Sequence, residues 1–157
     1  VFSSTAAVYG NPETDPIDEG QPCKPINPYG CSKYMVEQVL ADSFEAYGIN
    51  SVVFRYFNAC GADPDGLIGE DHTPETHLIP LILNNASSKC SYFTVYGDNF
   101  STPDGTCIRD YIHVTDLALA HIKAIEYLNN HDCLTINLAT GYSYSVLDVI
   151  ILSAATS

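Results

Sequence analysis

The sequence predicts an α/β fold in which parallel strands alternate with helices. Short runs rich in β-branched and aromatic residues alternate with segments whose apolar residues recur every three or four positions. Stretches dense in Gly, Pro and Asp separate these segments. This alternation is typical of a doubly wound parallel sheet, in which ligands bind beyond the carboxyl ends of the strands. We therefore expect functional residues in the loops that follow strands.

The first third of the chain contains the end of a strand and a long helix. Val1 and Phe2 run directly into the small polar residues 3–5, as at the carboxyl end of a buried strand. Asn27 followed by Pro28 is typical of a helix start, and Gly48 is typical of a helix end. We predict a helix from about Pro28 to Tyr47.

The remaining elements continue the alternation. In chain order we predict a strand over 51–56, a loop over 58–69, a helix over 76–84 with Pro80 in its first turn, a strand over 92–96, a helix capped at Thr115-Asp116, a strand over 135–139, and a last helix opened by a capping box of Ser145 and Asp148. Three loops follow strands in this order and are the candidate ligand-binding segments: 3–5, 56–58 and 140–141.

Composition excludes several classes of function. The 157 residues carry 6 Lys+Arg against 19 Asp+Glu, a net charge of −13, and such acidity repels the phosphates of nucleic acids. No apolar stretch approaches the roughly 20 residues of a membrane span, and no signal-like segment opens the sequence. We expect no nucleic-acid partner, no membrane insertion and a cytoplasmic location. The cysteines and histidines lack metal-ligand spacing, so we predict no metal site.

The segment Asn-Pro-Tyr-Gly-Cys-Ser-Lys contains the most informative side chains. Tyr29 and Lys33 lie four residues apart, on one face of the first turns of the predicted helix. A phenol is a poor base at neutral pH, but a cation about 5 Å away at an effective dielectric of ~20 stabilises its phenolate by roughly 3 kcal/mol. The hydroxyls of residues 3–5 are placed to relay protons between a bound alcohol and this tyrosine. By spacing alone, however, such a pair is also typical of a solvated helix face.

Together with Val-Phe-Ser-Ser-Thr-Ala-Ala-Val-Tyr-Gly at residues 1–10, this Tyr-x-x-x-Lys motif resembles the extended short-chain dehydrogenase/reductase superfamily. Further segments follow the order seen in UDP-glucose (UDP-galactose) 4-epimerases, and the likeness runs from Val1 to about Val149. Those segments are Arg55-Tyr56-Phe57-Asn58, Gly69-Glu70-Asp71, Leu78-Ile79-Pro80, Val95-Tyr96-Gly97, Pro103-Asp104-Gly105-Thr106 and Arg109-Asp110-Tyr111-Ile112-His113-Val114.

The resemblance implies a partial doubly wound, Rossmann-type parallel sheet plus part of a smaller substrate-binding lobe. Residues 1–62 and 108–140 would belong to the NAD-binding domain, and residues 63–107 and 141–157 to the substrate lobe. The glycine-rich dinucleotide fingerprint of the family is absent from the sequence. We therefore expect the chain to be an internal part of a longer enzyme, which would be a homodimer at full length and inactive as this piece alone.

The resemblance also assigns roles to individual residues. Tyr29 would take the proton from the 4-hydroxyl of a UDP-hexose, with Lys33 supporting it and Thr5 bridging the tyrosine and the substrate. NAD would contact Ser3, Tyr29, Lys33 and Phe57. The UDP-sugar would contact Thr5, Asn58, His77, Leu78, Thr94, Tyr96 and Arg109. The guanidinium fork of Arg109 suits diphosphate oxygens, although a surface pair with Asp110 is its simpler interpretation.

Three alternatives surround this interpretation. Sugar-nucleotide 4,6-dehydratases resemble the same region but carry an Asp-Glu pair where this chain has Ala6 and Ala7, and without those carboxylates dehydration lacks its proton donor and acceptor. A UDP-arabinose (UDP-xylose) 4-epimerase would use the same residues and stays open. A non-catalytic remnant that keeps only a nucleotide-sugar surface stays open as well.

Overall fold

The computed structural model describes residues 1–87 and 93–156. In chain order its elements are β1 (Phe2–Thr5), a short 3-10 helix (Ala6–Tyr9), α1 (Pro28–Tyr47), β2 (Val52–Tyr56), β3 (Asn58–Cys60), α2 (Leu78–Ser87), β4 (Ile108–His113), α3 (Val114–Tyr127), β5 (Leu134–Leu138), β6 (Ser143–Ser145) and α4 (Val146–Thr156). The predicted α/β class is confirmed.

The first sheet is parallel and has the strand order β1-β2-β5. Val52 and Phe54 of β2 form the buried core together with Ala124 of α3, so α3 covers one face of this sheet. Successive residues of a strand point to opposite faces, and Arg55 accordingly contacts Glu37 of α1. Helix α1 therefore lies on the other face, which gives the helix-sheet-helix layering expected of a doubly wound fold.

Helix α1 contacts the sheet through few buried residues. Of its 20 residues, only Gly30 and Glu37 are buried. A Cβ atom on Gly30 would lie 2.6 Å from the carbonyl oxygen of Ala7, so only glycine allows the helix to approach the 3-10 helix this closely. The helix start is thereby held next to the carboxyl end of β1.

The second sheet was only partly foreseen. Strand β3 pairs in parallel with β4, and β4 pairs antiparallel with β6. The prediction of a loop beginning at Asn58 is wrong for Asn58–Cys60, because these residues align with Tyr111–His113 of β4. A three-residue strand has too short a pattern to be recognised in sequence, and only its distant partner stabilises it.

The helix ends test the predicted capping residues. Asn27 caps α1, since its Oδ1 accepts the N–H of Gly30 at 2.7 Å. Ser145 and Asp148 form the reciprocal capping box, with N···O distances of 2.9 and 3.0 Å. Both predictions are confirmed. Helix α3, however, begins at Val114 rather than after a Thr115 cap, because the His113 imidazole accepts the N–H of Thr115.

The predicted strand over 92–96 is wrong for residues 93–96, which the structure leaves without strand pairing, while Tyr92 lies outside the described residues. The sequence has β propensity here, but Tyr96 is 88% exposed. High β propensity without a neighbouring strand does not make a ladder.

Candidate active site

The predicted Tyr29–Lys33 pair lies at the carboxyl end of β1. The Nζ atom of Lys33 is 5.7 Å from the centroid of the Tyr29 ring and donates a hydrogen bond to the carbonyl oxygen of Ser3 at 3.0 Å. The same ammonium lies 5.2 Å from the Phe2 ring. The tyrosine ring is 56% exposed, so its phenol is accessible to a ligand while the lysine is held by the strand.

Thr5 ends β1 beside this pair. Its Oγ1 accepts the N–H of Ala7 at 3.2 Å and thereby caps the 3-10 helix. The residue is 9% exposed. Because that bond uses the oxygen only as an acceptor, the hydroxyl proton of Thr5 is available to another group.

A hydrogen-bonded chain that sequence reasoning missed continues from Ser3. Ser3 Oγ and the Tyr56 hydroxyl are 2.8 Å apart, and the Tyr56 hydroxyl lies 2.8 Å from Nε2 of His121. His121 Nδ1 is 2.7 Å from the carbonyl oxygen of Leu117, so Nδ1 donates and Nε2 accepts from Tyr56. Burial raises the pKa of Tyr56, the hydrogen bond with Ser3 opposes that rise, and the nearby Tyr29 adds to it.

A buried ion pair lies under the same strand end. Arg55 donates to Glu37 from Nη2 at 2.6 Å and from Nε at 3.2 and 3.3 Å, and the two side chains are only 8% and 7% exposed. Burial disfavours the charged guanidinium, but its hydrogen bonds with Glu37 and Tyr9 and its electrostatic attraction to both groups together outweigh burial and raise the pKa of Arg55. Two signals were present in the sequence: Glu37 follows Lys33 by four residues, and Arg55 interrupts an otherwise apolar strand.

Five of the seven predicted substrate residues line two adjoining clefts, whereas Thr5 and Arg109 line neither of them. A cleft of about 550 Å³ is lined by Asn58, His77 and Leu78, and a second of about 710 Å³ by Leu78, Thr94 and Tyr96. Leu78 belongs to both walls. Phe57 is half-buried and joins Tyr56 to Asn58 in the chain, and its N–H donates to Leu138 at 3.1 Å. The structure thus gathers most of the predicted site residues into a tyrosine-lysine group and a cleft group, and it leaves Arg109 outside both.

Arg109 is exposed on β4, and its Nη1 donates to the carbonyl oxygen of Ile108 at 2.7 Å. Asp110 accepts from the N–H groups of Thr140 and Gly141 at 2.9 and 2.7 Å instead of pairing with the guanidinium. This contact ties the loop after β5 to β4. These contacts of the Asp110 carboxylate therefore disfavour the simpler interpretation of Arg109, a surface pair with Asp110.

One cluster of potential metal ligands lies at the edge of the first cleft, where spacing had suggested none. The ligand atoms of Glu70, His72, Glu75 and His77 lie within 4.8 Å of one another. The four groups pair among themselves, with Nδ1 of His77 at 2.6 Å from Glu70 and at 3.2 Å from Glu75. The backbone N–H of His77 also donates a hydrogen bond to the Glu75 carboxylate, and this bond lowers the pKa of Glu75. The absence of a metal stays a prediction.

Comparison with known proteins assigns this arrangement to a class. A family model described as the NAD dependent epimerase/dehydratase family matches residues 1–139. The chain belongs to this family, and the predicted resemblance is confirmed. Among the described residues, no helix combines the length and the apolar character that a membrane span requires.

Individual relatives narrow the likeness. The chain is 53% identical over 152 residues to a UDP-glucose 4-epimerase of Rhizobium leguminosarum bv. trifolii, covering 96% of this chain and 46% of that protein. It superposes on the Brucella ovis UDP-glucose 4-epimerase in complex with NAD with a TM-score of 0.91 and 52% identity, covering 96% and 46% of the two chains. A Stenotrophomonas maltophila UDP-glucose 4-epimerase, with bound NAD and formylated UDP-arabinopyranose, gives 0.93 and 40%, with coverage of 99% and 47%. The chain thus spans about half the length of these relatives.

Proposed function

We propose that this chain is part of a longer NAD-dependent enzyme that interconverts UDP-galactose and UDP-glucose at C4, an isomerase. The tyrosine-lysine group at the end of β1 carries the proposal, because it combines an exposed phenol, a held ammonium and neighbouring hydroxyls. Identities near 50% to UDP-glucose 4-epimerases over nearly the whole chain support it.

Tyr29 is proposed as the base that removes the proton of the sugar 4-hydroxyl. The ammonium of Lys33 favours the phenolate electrostatically, and its bond to Ser3 keeps it on that side of the tyrosine. Thr5 provides a hydroxyl that accepts a proton from one partner and donates one to another, so it links the sugar hydroxyl to Tyr29. The same residues return the proton after the sugar has turned, which permits reaction in both directions.

The residues beside Tyr29 fit the nicotinamide end of NAD. Lys33 uses one N–H on Ser3, and an ammonium has two more for the hydroxyls of a ribose. Ser3, Tyr29 and Phe57 are proposed to complete that contact, since all three lie at carboxyl ends of parallel strands or on the adjoining helix. Bound NAD supplies hydride acceptance and return at C4. The pyrophosphate half of NAD would need the glycine-rich loop that these residues do not include.

The clefts are proposed to hold the UDP portion. Asn58 lies on β3, which directly follows β2, and it would contact the diphosphate. His77 and Leu78 line the same cleft and would contact the substrate there. Thr94 and Tyr96 line the neighbouring cleft and would contact the uracil. Arg109 would bind diphosphate oxygens through its planar fork. We also propose that residues 1–62 and 108–140 belong to the NAD-binding domain and that residues 63–107 and 141–157 belong to the substrate lobe.

The test is an assay of the full-length protein with UDP-galactose and no added NAD. We expect UDP-glucose to form, because each turnover regenerates the cofactor. Tyr29→Phe should lower kcat by ~10² to 10⁴-fold, the usual contribution of general acid-base catalysis. Tyr34→Phe, on the same helix, is the matched control and should keep near-normal kcat. A Tyr29→Phe variant as active as the control would mean that the base lies elsewhere.

A UDP-arabinose 4-epimerase is the second candidate, favoured by the ligand in the Stenotrophomonas maltophila structure. Activity on UDP-arabinose alone would replace the first proposal with this one. Failure to turn over either sugar would favour a non-catalytic remnant. The homodimer is likewise proposed: Met35 and Val39 of α1 are 68% and 61% exposed, which leaves apolar surface on that face of the sheet for a second subunit. The cytoplasmic location is also a proposal.

A further inference from the structure

We propose that Glu37 is a positioning residue: held by Arg55, it fixes helix α1, and with it Tyr29 and Lys33, against the end of β1. The inference rests on the proposed function for its catalytic readout. Glu37 makes buried contacts with Ser4 and Arg55 that have no part in the proposed chemistry. Glu37, Arg55 and Ser4 have no proposed contact with the substrate or with NAD.

Helix α1 contacts β1 through one of its faces. Tyr29, Lys33 and Glu37 follow one another at intervals of four residues and share that face. Lys33 binds the carbonyl oxygen of Ser3, and Glu37 accepts the hydroxyl of Ser4. Two successive turns of the helix are thus tied to two successive residues of the strand. Because Gly30 and Glu37 are the only fully buried residues of α1, these polar contacts form the most buried part of its interface with β1.

Arg55 binds the Glu37 carboxylate through two of its nitrogen atoms. Its Nε and Nη2 approach both Glu37 oxygens, at 2.6 to 3.3 Å. Such a fork fixes both the position and the orientation of a carboxylate, which a single hydrogen bond does not. One Glu37 oxygen also faces Ser4. The carboxylate is therefore a junction between α1, β1 and β2.

Arg55 is in turn held by Tyr9, which is bound to Asn137 of β5. In the sheet, Arg55 is aligned with Ser4 of β1 and with Asn137 of β5. Its Nη1 donates to the Tyr9 hydroxyl at 2.9 Å, and that hydroxyl donates to Asn137 Oδ1 at 2.7 Å. The guanidinium also lies 4.9 Å from the centroid of the Tyr9 ring. The chain of contacts crosses the whole three-stranded sheet.

These contacts matter for chemistry because Ser4 lies between Ser3, which holds Lys33, and Thr5, which is proposed to bridge Tyr29 and the sugar. A movement of α1 relative to β1 changes the separation of the proton-transferring groups. Misplacement by about 1 Å can lower a rate by as much as ~10²-fold. A buried ion pair is seldom the most stabilising choice for such a space, which agrees with a role in geometry rather than in stability alone.

Two variants of the full-length, NAD-bound protein test the proposal. Ser4→Ala removes one bond of the junction, and Glu37→Asp retracts the carboxylate by one methylene while keeping its charge. We expect each to lower kcat by about tenfold or more, with KM for UDP-galactose within about twofold. The absorbance difference between each protein and its Tyr29→Phe derivative reports the phenolate. We expect its titration midpoint to rise by about half a pH unit or more, since Lys33 is less firmly held. Ser43→Ala, which loses only a bond to Val39 within α1, is the control and should change neither readout.

A lowered unfolding temperature with unchanged kcat and unchanged titration midpoint would reduce Glu37 to a structural residue and overturn the proposal. If one variant does not fold, the other decides. The parent protein is assayed first, so that a failure of the proposed function is seen separately: without any epimerisation, the phenolate titration alone still supports or overturns the positioning role.

Discussion

Breaking the buried Arg55–Glu37 pair should destabilise the protein strongly. The Glu37 carboxylate is 7% exposed, and Arg55→Met leaves it, among the described residues, with only the hydroxyl of Ser4 as a partner. Removing one partner of a buried ion pair usually costs about 3 to 5 kcal/mol, because the remaining charge is desolvated and unpaired. At roughly 2 to 4 °C per kcal/mol, this corresponds to a fall of about 6 to 20 °C in Tm.

The double variant Glu37→Met/Arg55→Met separates the charge from the packing. It removes both charges and leaves Ser4 without its acceptor, a loss of about 1 kcal/mol, while the Tyr9 hydroxyl keeps Asn137. We therefore expect the double variant to be more stable than either single variant. Thermal and urea unfolding of all four proteins gives the coupling free energy. Single variants that each lose less than about 1 kcal/mol, or a double variant that loses the sum of both, would refute the argument.

Three further outcomes follow from individual contacts. Gly30→Ala should lower stability and kcat although alanine is favoured in helices by about 1 kcal/mol, because its Cβ would meet the Ala7 carbonyl at 2.6 Å. Gly69→Ala, with open space around it, is the control for stability, and a stabilised Gly30→Ala would contradict the close approach. Arg109→Lys should raise KM for the UDP-sugar by about tenfold with little change in kcat, since an ammonium cannot replace a bidentate fork, and an unchanged KM would remove Arg109 from the site. Burial and the nearby Glu70 raise the pKa of the Cys60 thiol, so mass spectrometry should find Cys60 alkylated much more slowly at pH 7.5 than the exposed Cys31, and equal rates would count against its burial.

Local signals in the sequence determined the helices well. The Asn27-Pro28 start and Gly48 end place α1 at the residues observed, and the Ser145–Asp148 box forms as expected. Helix caps depend on residues within one turn, so the information needed is local. The same holds for Tyr29 and Lys33, whose common face follows from helical spacing alone. Beyond local spacing, the order of motifs along the chain identified the family, because it requires no knowledge of contacts.

Tertiary structure decided what depends on partners distant in the chain. Strand β3 exists because residues 58–60 meet β4 some fifty residues later, whereas 93–96 has comparable β character and pairs with no strand in the part of the chain described. The positions of Glu37 and Arg55 in the sequence do not show that they pair with each other, and only their burial against each other makes them a junction. The meaning of a buried charge depends on which group neutralises it, and that group is brought there by the fold. The sequence by itself thus predicted which residues would carry the chemistry, because that prediction needs only local spacing and the order of motifs, while the tertiary contacts determined what holds those residues in place.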